Sequence, residues 1–129
     1  MIPVTALTYF GLITCATIAI EIFYTDGTRG IAFGFSSQRP VVAKDGLALR
    51  VERVCCNQVE SAAYVVPALG AAALAGMTAS TICWVIILGR AGFSLAYYTG
   101  IPFLRVPFFT MGSFGSLILI YQVLTQGAV

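Results

Sequence analysis

The segment RVERVCCNQVE, residues 50–60, places ionisable and amide side chains directly before a long apolar run. On a helix, residues that step by three and four positions lie on one face. Five polar residues of this region follow that spacing, and we call them the polar stripe: Arg50, Arg53, Asn57, Glu60 and Tyr64. Guanidinium and amide groups donate hydrogen bonds, whereas a carboxylate accepts them. The stripe can therefore bind a polar, partly anionic ligand, and a crevice with further arginines would suit a small molecule that carries carboxylates and an amine.

The polar stripe also has a structural interpretation. Arg53 or a neighbouring arginine can pair with Glu60, while Asn57 ties helices together. In a membrane, both interpretations require the stripe to face protein, because an ionised group facing lipid costs several kcal/mol. Glu52 and Gln58 lie off the stripe, and we predict that they are solvated or interfacial.

The composition is that of a membrane protein. The chain is 59% hydrophobic and 9% charged, with a mean hydropathy of +0.93, whereas soluble domains carry about 25% charged residues. A spanning helix needs about 20 mostly apolar residues. We predict an all-α fold, an integral membrane four-helix bundle that forms one domain over residues 1–129. The predicted spans are roughly residues 2–24, 47–73, 77–98 and 102–124.

The basic residues predict the orientation of the bundle. The seven are Arg29, Arg39, Lys44, Arg50, Arg53, Arg90 and Arg105. All fall in or near the first and third loops of a four-span chain, so the positive-inside rule places these loops in the cytoplasm and both termini on the opposite side. Residues 1–24 lack a positive n-region and are too long for a signal-peptide core, so we predict that they span the membrane.

Two further arginines extend the candidate site. Arg90 lies in the third predicted span, with Tyr97 seven residues later on the same face, and Arg105 lies in the first turn of the fourth span. Together with the polar stripe, these side chains can line one crevice in the cytoplasmic half. For Arg90 and Arg105, the alternative is that the long side chain extends along the protein to the membrane surface.

Several kinds of site are excluded. The chain has no histidine, and its four cysteines form no C-x-x-C pair, so we predict neither a zinc site nor a histidine-ligated haem. We interpret the cysteines as small buried hydrophobic residues. No basic, aromatic-interleaved surface predicts nucleic-acid binding.

Taken together, these motifs resemble the MAPEG family, the membrane-associated proteins in eicosanoid and glutathione metabolism. The resemblance covers nearly the whole chain in topology. It rests on Arg53, Asn57 and Glu60 in RVCCNQVE, on Arg90 and Tyr97 in LGRAGFSLAY, and on Arg105 in FLRVPFF. It implies a homotrimer of four-helix bundles that binds glutathione between neighbouring subunits, near the cytoplasmic side.

The resemblance also implies roles for individual residues. Arg53, Asn57 and Glu60 would hold the glutathione backbone, and Arg90 and Tyr97 would add contacts. Arg50, on the same stripe, completes the predicted glutathione site. Arg105 would stabilise the thiolate, which is the nucleophile and is scarce at neutral pH because a free thiol has a pKa near about 8.5. No metal is implied.

The sequence departs from the family pattern at three positions. Cys56 stands where family members with transferase activity often have a basic residue, Val106 where a hydroxyl sometimes occurs, and Phe109 where some members have tyrosine. The resemblance and these departures together leave two candidate functions. One is a detoxifying glutathione-dependent transferase or peroxidase that acts on lipophilic electrophiles. The other is a non-catalytic accessory or lipid-binding subunit of a larger membrane complex. A small transporter is disfavoured, because the chain has no internal repeat.

Overall fold

The fold is all-α, as the sequence predicts. A computed structural model describes residues 1–37 and 43–126, so Arg39, one of the seven orienting basic residues, lies outside the described residues. Its elements are α1 (Pro3–Arg29), the short α2 (Ile31–Phe35), α3 (Gly46–Leu74), α4 (Ser80–Thr99) and α5 (Pro102–Gln126).

Three of the long helices, α1, α4 and α5, are long and apolar enough to cross a membrane, which makes the chain a multi-pass membrane protein. The fourth, α3, has 29 residues but is not apolar enough to be counted with these three. Its first half carries the polar stripe, so the crossing of the membrane by α3 stays a prediction.

The first helix is longer than the sequence indicates. The predicted span ends at residue 24, whereas α1 continues to Arg29. The next residue, Gly30, caps the helix with a φ of 87°, a backbone conformation that favours glycine. Hydroxyl groups support the extra turn, since Thr25 Oγ1 donates to Glu21 at 3.1 Å and Thr28 Oγ1 to the Tyr24 carbonyl at 2.8 Å. The TDGTR segment, which lies beyond the predicted span, is therefore helical.

Short connections make α3, α4 and α5 antiparallel neighbours. Residues 75–79 join α3 to α4, and residues 100–101 join α4 to α5. At the second connection, Gly100 has a φ of 78°, and the Ile101 amide donates to the Ala96 carbonyl at 3.0 Å. This is a typical glycine-terminated helix end, and it returns the chain directly into α5.

The apolar core occupies one half of the bundle. Phe10, Leu69, Ile86 and Leu119 are at most 3% exposed and belong to one buried cluster. They lie in the first half of α1 and α4 and in the second half of α3 and α5, and these halves lie at the same end of the bundle. The other end carries the arginines that the structure describes, and we call it the basic end.

Helices α4 and α5 approach each other at glycines. A Cβ atom added to Gly89 would lie 2.6 Å from the backbone nitrogen of Gly112, and one added to Gly115 would lie 2.9 Å from Cγ1 of Ile86. Small residues permit such close packing in membrane bundles, where van der Waals contact drives helix association. This glycine seam fixes the position of Arg90, which directly follows Gly89.

Candidate functional site

Two clefts at the basic end share Tyr97 as a lining residue. The polar cleft has a volume of about 170 Å³ and is lined by Arg53, Cys56, Asn57, Glu60, Phe93 and Tyr97. The arginine cleft has a volume of about 210 Å³ and is lined by Leu49, Arg50, Ala96, Tyr97, Gly100, Ile101, Pro102 and Arg105. Because Tyr97 lines both clefts, molecules bound in the two would be neighbours.

The first half of α3 brings three stripe residues to the polar cleft. Arg53 and Glu60 are exposed in the single chain, and Asn57 is partly buried. Within residues 1–37 and 43–126, no ion pair joins Arg53 to Glu60; the ion pairs found there both involve Lys44. The structural interpretation of the stripe is therefore wrong for the Arg–Glu pair. Its second part is confirmed, because Asn57 of α3 accepts hydrogen bonds from Arg90 of α4 and so connects these helices.

Tyr64 has a separate contact. Its hydroxyl lies 3.1 Å from Oγ of Ser113, so it connects α3 to α5. It lines neither cleft. Of the five residues on the polar stripe, four therefore line the two clefts and the fifth joins helices.

Arg90 is placed differently from both sequence interpretations. Its side chain is completely buried, so it does not extend to the membrane surface, and it lines neither cleft. Its Nη2 atom donates to Oδ1 of Asn57 at 2.9 Å and to the Asn57 carbonyl at 3.1 Å. Arg90 thus lies behind Asn57, on the side away from the cleft.

Gln58 is also placed differently from its prediction. We predicted a solvated or interfacial side chain, but Gln58 is completely buried. Its Oε1 accepts from Nε and Nη2 of Arg90 at 3.2 and 3.0 Å, and its Nε2 donates to Oγ1 of Thr14 at 3.1 Å. The amide is buried because helices on both sides offer it partners, and helical spacing within α3 does not reveal these partners.

The arginine cleft is positively charged. Arg105 is exposed, with its guanidinium carbon 5.5 Å from the centre of the Tyr97 ring. Nη1 of Arg50 lies 3.4 Å from the Tyr98 carbonyl oxygen. No aspartate or glutamate lines this cleft. Two cations without a neighbouring carboxylate attract an anion, while Leu49 and Ile101 supply apolar walls.

Phe93 is a site residue that sequence reasoning missed. It is 5% exposed, and its ring lies 5.4 Å from the Tyr97 ring and 5.9 Å from the Phe109 ring, centre to centre. The guanidinium carbon of Arg90 lies 5.3 Å from the Phe93 ring. Phe93 therefore separates the buried arginine from the open cleft. The sequence feature that could have identified Phe93 is its position in α4, midway between Arg90 and Tyr97.

The three departure positions have different surroundings. Cys56 is exposed and lines the polar cleft, and Cys15 is exposed as well, so the interpretation of the cysteines as buried hydrophobic residues is wrong for these two. Val106 is 60% exposed, and Phe109 packs on Phe93. The cysteine therefore contributes a thiol to the cleft, whereas Phe109 contributes only an apolar surface.

Comparison with known proteins gives one match. A family model described as the MAPEG family matches residues 2–125. The chain belongs to the MAPEG family. No curated protein and no solved structure matches it. The matched region contains nearly all of the described bundle, including both clefts, so the resemblance carried by the sequence motifs is confirmed. As a MAPEG protein, the chain is a member of a glutathione-related membrane protein family.

Proposed function

We propose that the chain is a glutathione-dependent transferase or peroxidase of the membrane, with a role in detoxification. The observation that carries the proposal is that two chemically different clefts share Tyr97 as a lining residue. The polar cleft combines hydrogen-bond donors with a carboxylate, and the arginine cleft combines cations with apolar walls. A reaction between a peptide thiol and a lipophilic molecule requires both environments side by side.

The polar cleft suits the peptide backbone of glutathione. Glutathione carries two carboxylates, two amide groups and one ammonium group. Arg53 can donate two parallel hydrogen bonds to a carboxylate, Asn57 can donate to a carboxylate or an amide oxygen, and Glu60 can accept from the ammonium group. Because Glu60 has no ion-pair partner within the described residues, its charge is available to the ligand.

The arginine cleft suits the reacting sulfur. With the peptide in the polar cleft, the thiol reaches the neighbourhood of Tyr97 and Arg105. A cation there lowers the pKa of the bound thiol and increases the fraction of thiolate, with the proton released to water. The thiolate then attacks the electrophile, while Arg105 stabilises negative charge on the sulfur before the attack and on the leaving group during it.

A lipophilic electrophile fits the second half of the site. Leu49, Ile101 and Pro102 form apolar walls beside Arg105. These residues lie at the ends of α3, α4 and α5, so an electrophile or an organic hydroperoxide dissolved in the bilayer can approach from the side. We propose that it meets the thiolate at Tyr97, where the two clefts join.

The exposure of charged residues supports an oligomer. Arg53, Glu60 and Arg105 are exposed in the single chain. Where α3 and α5 lie in lipid, an ionised side chain cannot remain uncovered without a large free-energy cost. We propose that a homotrimer covers these residues, with the sites between subunits, the basic end in the cytoplasm and both termini on the opposite side.

A second candidate function is a non-catalytic accessory or lipid-binding subunit of a larger membrane complex. The specific observation in its favour is the chemistry at the departure positions. Phe109 is packed against Phe93, and Val106 has no polar group, so neither can donate a proton to a leaving group. In this case, the clefts would bind a ligand without promoting a reaction.

Calorimetric titration of the purified protein in detergent with glutathione tests the proposal, with Arg105→Ala as the matched variant. We expect micromolar to millimolar binding and a thiolate absorbance near neutral pH that Arg105→Ala abolishes. Binding without thiolate absorbance would favour the accessory function. Absence of binding at millimolar glutathione would exclude the catalytic function.

A further inference from the structure

Arg90 has an uneven set of contacts. Its Nη2 atom faces three acceptors, namely the side-chain and backbone oxygens of Asn57 and Oε1 of Gln58, at 2.9 to 3.1 Å. Its Nη1 atom is buried and has no hydrogen-bond partner. Within residues 1–37 and 43–126, no carboxylate forms an ion pair with this buried cation. The hydrogen bonds of the Arg90 guanidinium are thus concentrated on one short segment of α3.

This geometry fixes which way the Asn57 amide faces. A guanidinium group only donates hydrogen bonds, so the Asn57 atom 2.9 Å from Nη2 must be the oxygen. The Asn57 Nδ2 atom then points away from Arg90. Nδ2 is not among the buried side-chain atoms that lack a hydrogen-bond partner, and Asn57 lines the polar cleft. Asn57 therefore presents two N–H groups to whatever occupies the cleft.

We infer that Arg90 is a positioning residue, which acts on the ligand only through Asn57 by holding its amide with the nitrogen towards the polar cleft. This inference rests on the proposed function, in which that cleft binds glutathione. It differs from the role implied by the family resemblance, in which Arg90 itself contacts the ligand. The glutathione group facing Asn57 must then be an acceptor, a carboxylate or an amide carbonyl.

The surroundings of Arg90 hold the guanidinium in place. Gln58 binds it from one side and is itself held by Thr14 of α1. The aliphatic part of the side chain passes over Gly112 of α5, where an added Cβ would lie 2.8 Å from Cδ of Arg90. Three helices thus restrict this side chain, whereas Arg90 is the one hydrogen-bond partner of the Asn57 side chain within residues 1–37 and 43–126. The restriction gives the fixed donor geometry that a binding site needs.

The substitution Asn57→Asp tests the orientation of the Asn57 amide while leaving the packing of the side chain nearly unchanged. Aspartate has nearly the same shape and keeps an oxygen towards Arg90, but it replaces the N–H groups facing the cleft by an acceptor. We expect an unfolding temperature equal to or higher than that of the wild type, together with glutathione binding weakened about tenfold or more. Wild-type affinity in Asn57→Asp would overturn the inference.

A double-mutant cycle tests whether Arg90 acts through Asn57. We expect Arg90→Met to weaken glutathione binding about tenfold in the wild-type background and to have no further effect in the Asn57→Ala background. Equal losses in both backgrounds would mean that Arg90 contacts the ligand itself, which contradicts the inference. If Arg90→Met does not fold, Asn57→Asp decides the question alone.

Thr14→Val is the matched control. It removes the hydrogen bond between Thr14 and Gln58 and leaves the Arg90–Asn57 contact intact. We expect a lower unfolding temperature and an unchanged dissociation constant. A loss of affinity in Thr14→Val would indicate a general packing effect and would overturn the inference. If the wild type binds no glutathione, the proposed function fails, and stability still tests the orientation. Asn57→Asp keeps an acceptor towards Arg90 and changes only the atom that faces the cleft, so an unfolding temperature below that of the wild type would contradict the assigned orientation of the amide.

Discussion

The guanidinium carbon of Arg105 lies 5.5 Å from the centre of the Tyr97 ring, so an exposed cation of α5 is held over an aromatic ring of α4. Arg105 has no carboxylate partner within the described residues. The aromatic ring therefore restrains the cation without neutralising its charge, because the contact is with the negative face of the ring. A cation placed in this way remains available to an anionic ligand.

Removing the aromatic ring releases Arg105. We expect Tyr97→Leu to lower kcat/KM for glutathione with an activated electrophile about two- to fivefold, since an exposed cation–π contact contributes about 0.5–1 kcal/mol. Tyr97→Phe keeps the ring and is the control, with an expected change below about twofold. A loss in Tyr97→Phe as large as that in Tyr97→Leu would show that the hydroxyl, and not the ring, is required.

The charge of Arg105 determines the pH dependence. Because a cation favours the thiolate, Arg105→Ala raises the pKa of bound glutathione, and the rate falls at low pH but recovers as the pH rises. We expect a loss of about tenfold or more at about pH 6.5, shrinking towards about pH 9. The pH–rate profile measures this shift, with Arg105→Lys as the control that keeps the charge. A uniform loss at every pH would instead assign Arg105 a role in binding.

The glycine seam predicts a large effect on stability. In Gly89→Ala, the new Cβ would lie 2.6 Å from a backbone nitrogen of α5, so the helices must separate. We expect a loss of about 1–3 kcal/mol in the free energy of unfolding. Gly70→Ala in α3 is the matched control, because a Cβ there meets nothing within 4 Å and alanine favours a helix. Reversible unfolding in detergent micelles measures both, and equal stability of the two variants would contradict close packing at the seam.

The hydrogen bond between Tyr64 and Ser113 predicts a small effect. Their hydroxyl oxygens lie 3.1 Å apart between α3 and α5. Hydrogen bonds between membrane helices contribute about 0.6 kcal/mol on average. We expect Tyr64→Phe and Ser113→Ala each to lower the free energy of unfolding by about this amount. The double variant should cost no more than either single change, and additive losses would show that the two hydroxyls do not interact.

The sequence predicts the local features of the site well, because they depend on helical periodicity. Arg53, Asn57 and Glu60 step by four and three residues, and the structure brings them to one cleft. The glycine at position 100 ends α4 as its conformational freedom requires. The motifs on which the family resemblance rests are also short segments of single helices, and the match to the MAPEG family covers all of them, since it spans residues 2–125.

The errors concern contacts between helices. Gln58 follows Asn57 by one residue, so it projects about 100° away from it on the helix, and the face it occupies depends on what packs there. Thr14 of α1 and Arg90 of α4 make that face interior. Neither partner is close to Gln58 in the sequence. The same holds for Arg90, whose burial depends on Gly112 giving it room.

The contact of Arg90 with α3 has a consequence for membrane insertion. The translocon exposes each emerging helix to lipid, and an arginine near the centre of a helix disfavours its release there by about 2.5–3.5 kcal/mol. The acceptors for Arg90 all lie on α3, which precedes α4 by only residues 75–79. We therefore expect α3 and α4 to leave the translocon as a pair, with the polar half of α3 and the cation of α4 shielding each other from lipid. Neither helix would then have to enter the bilayer alone.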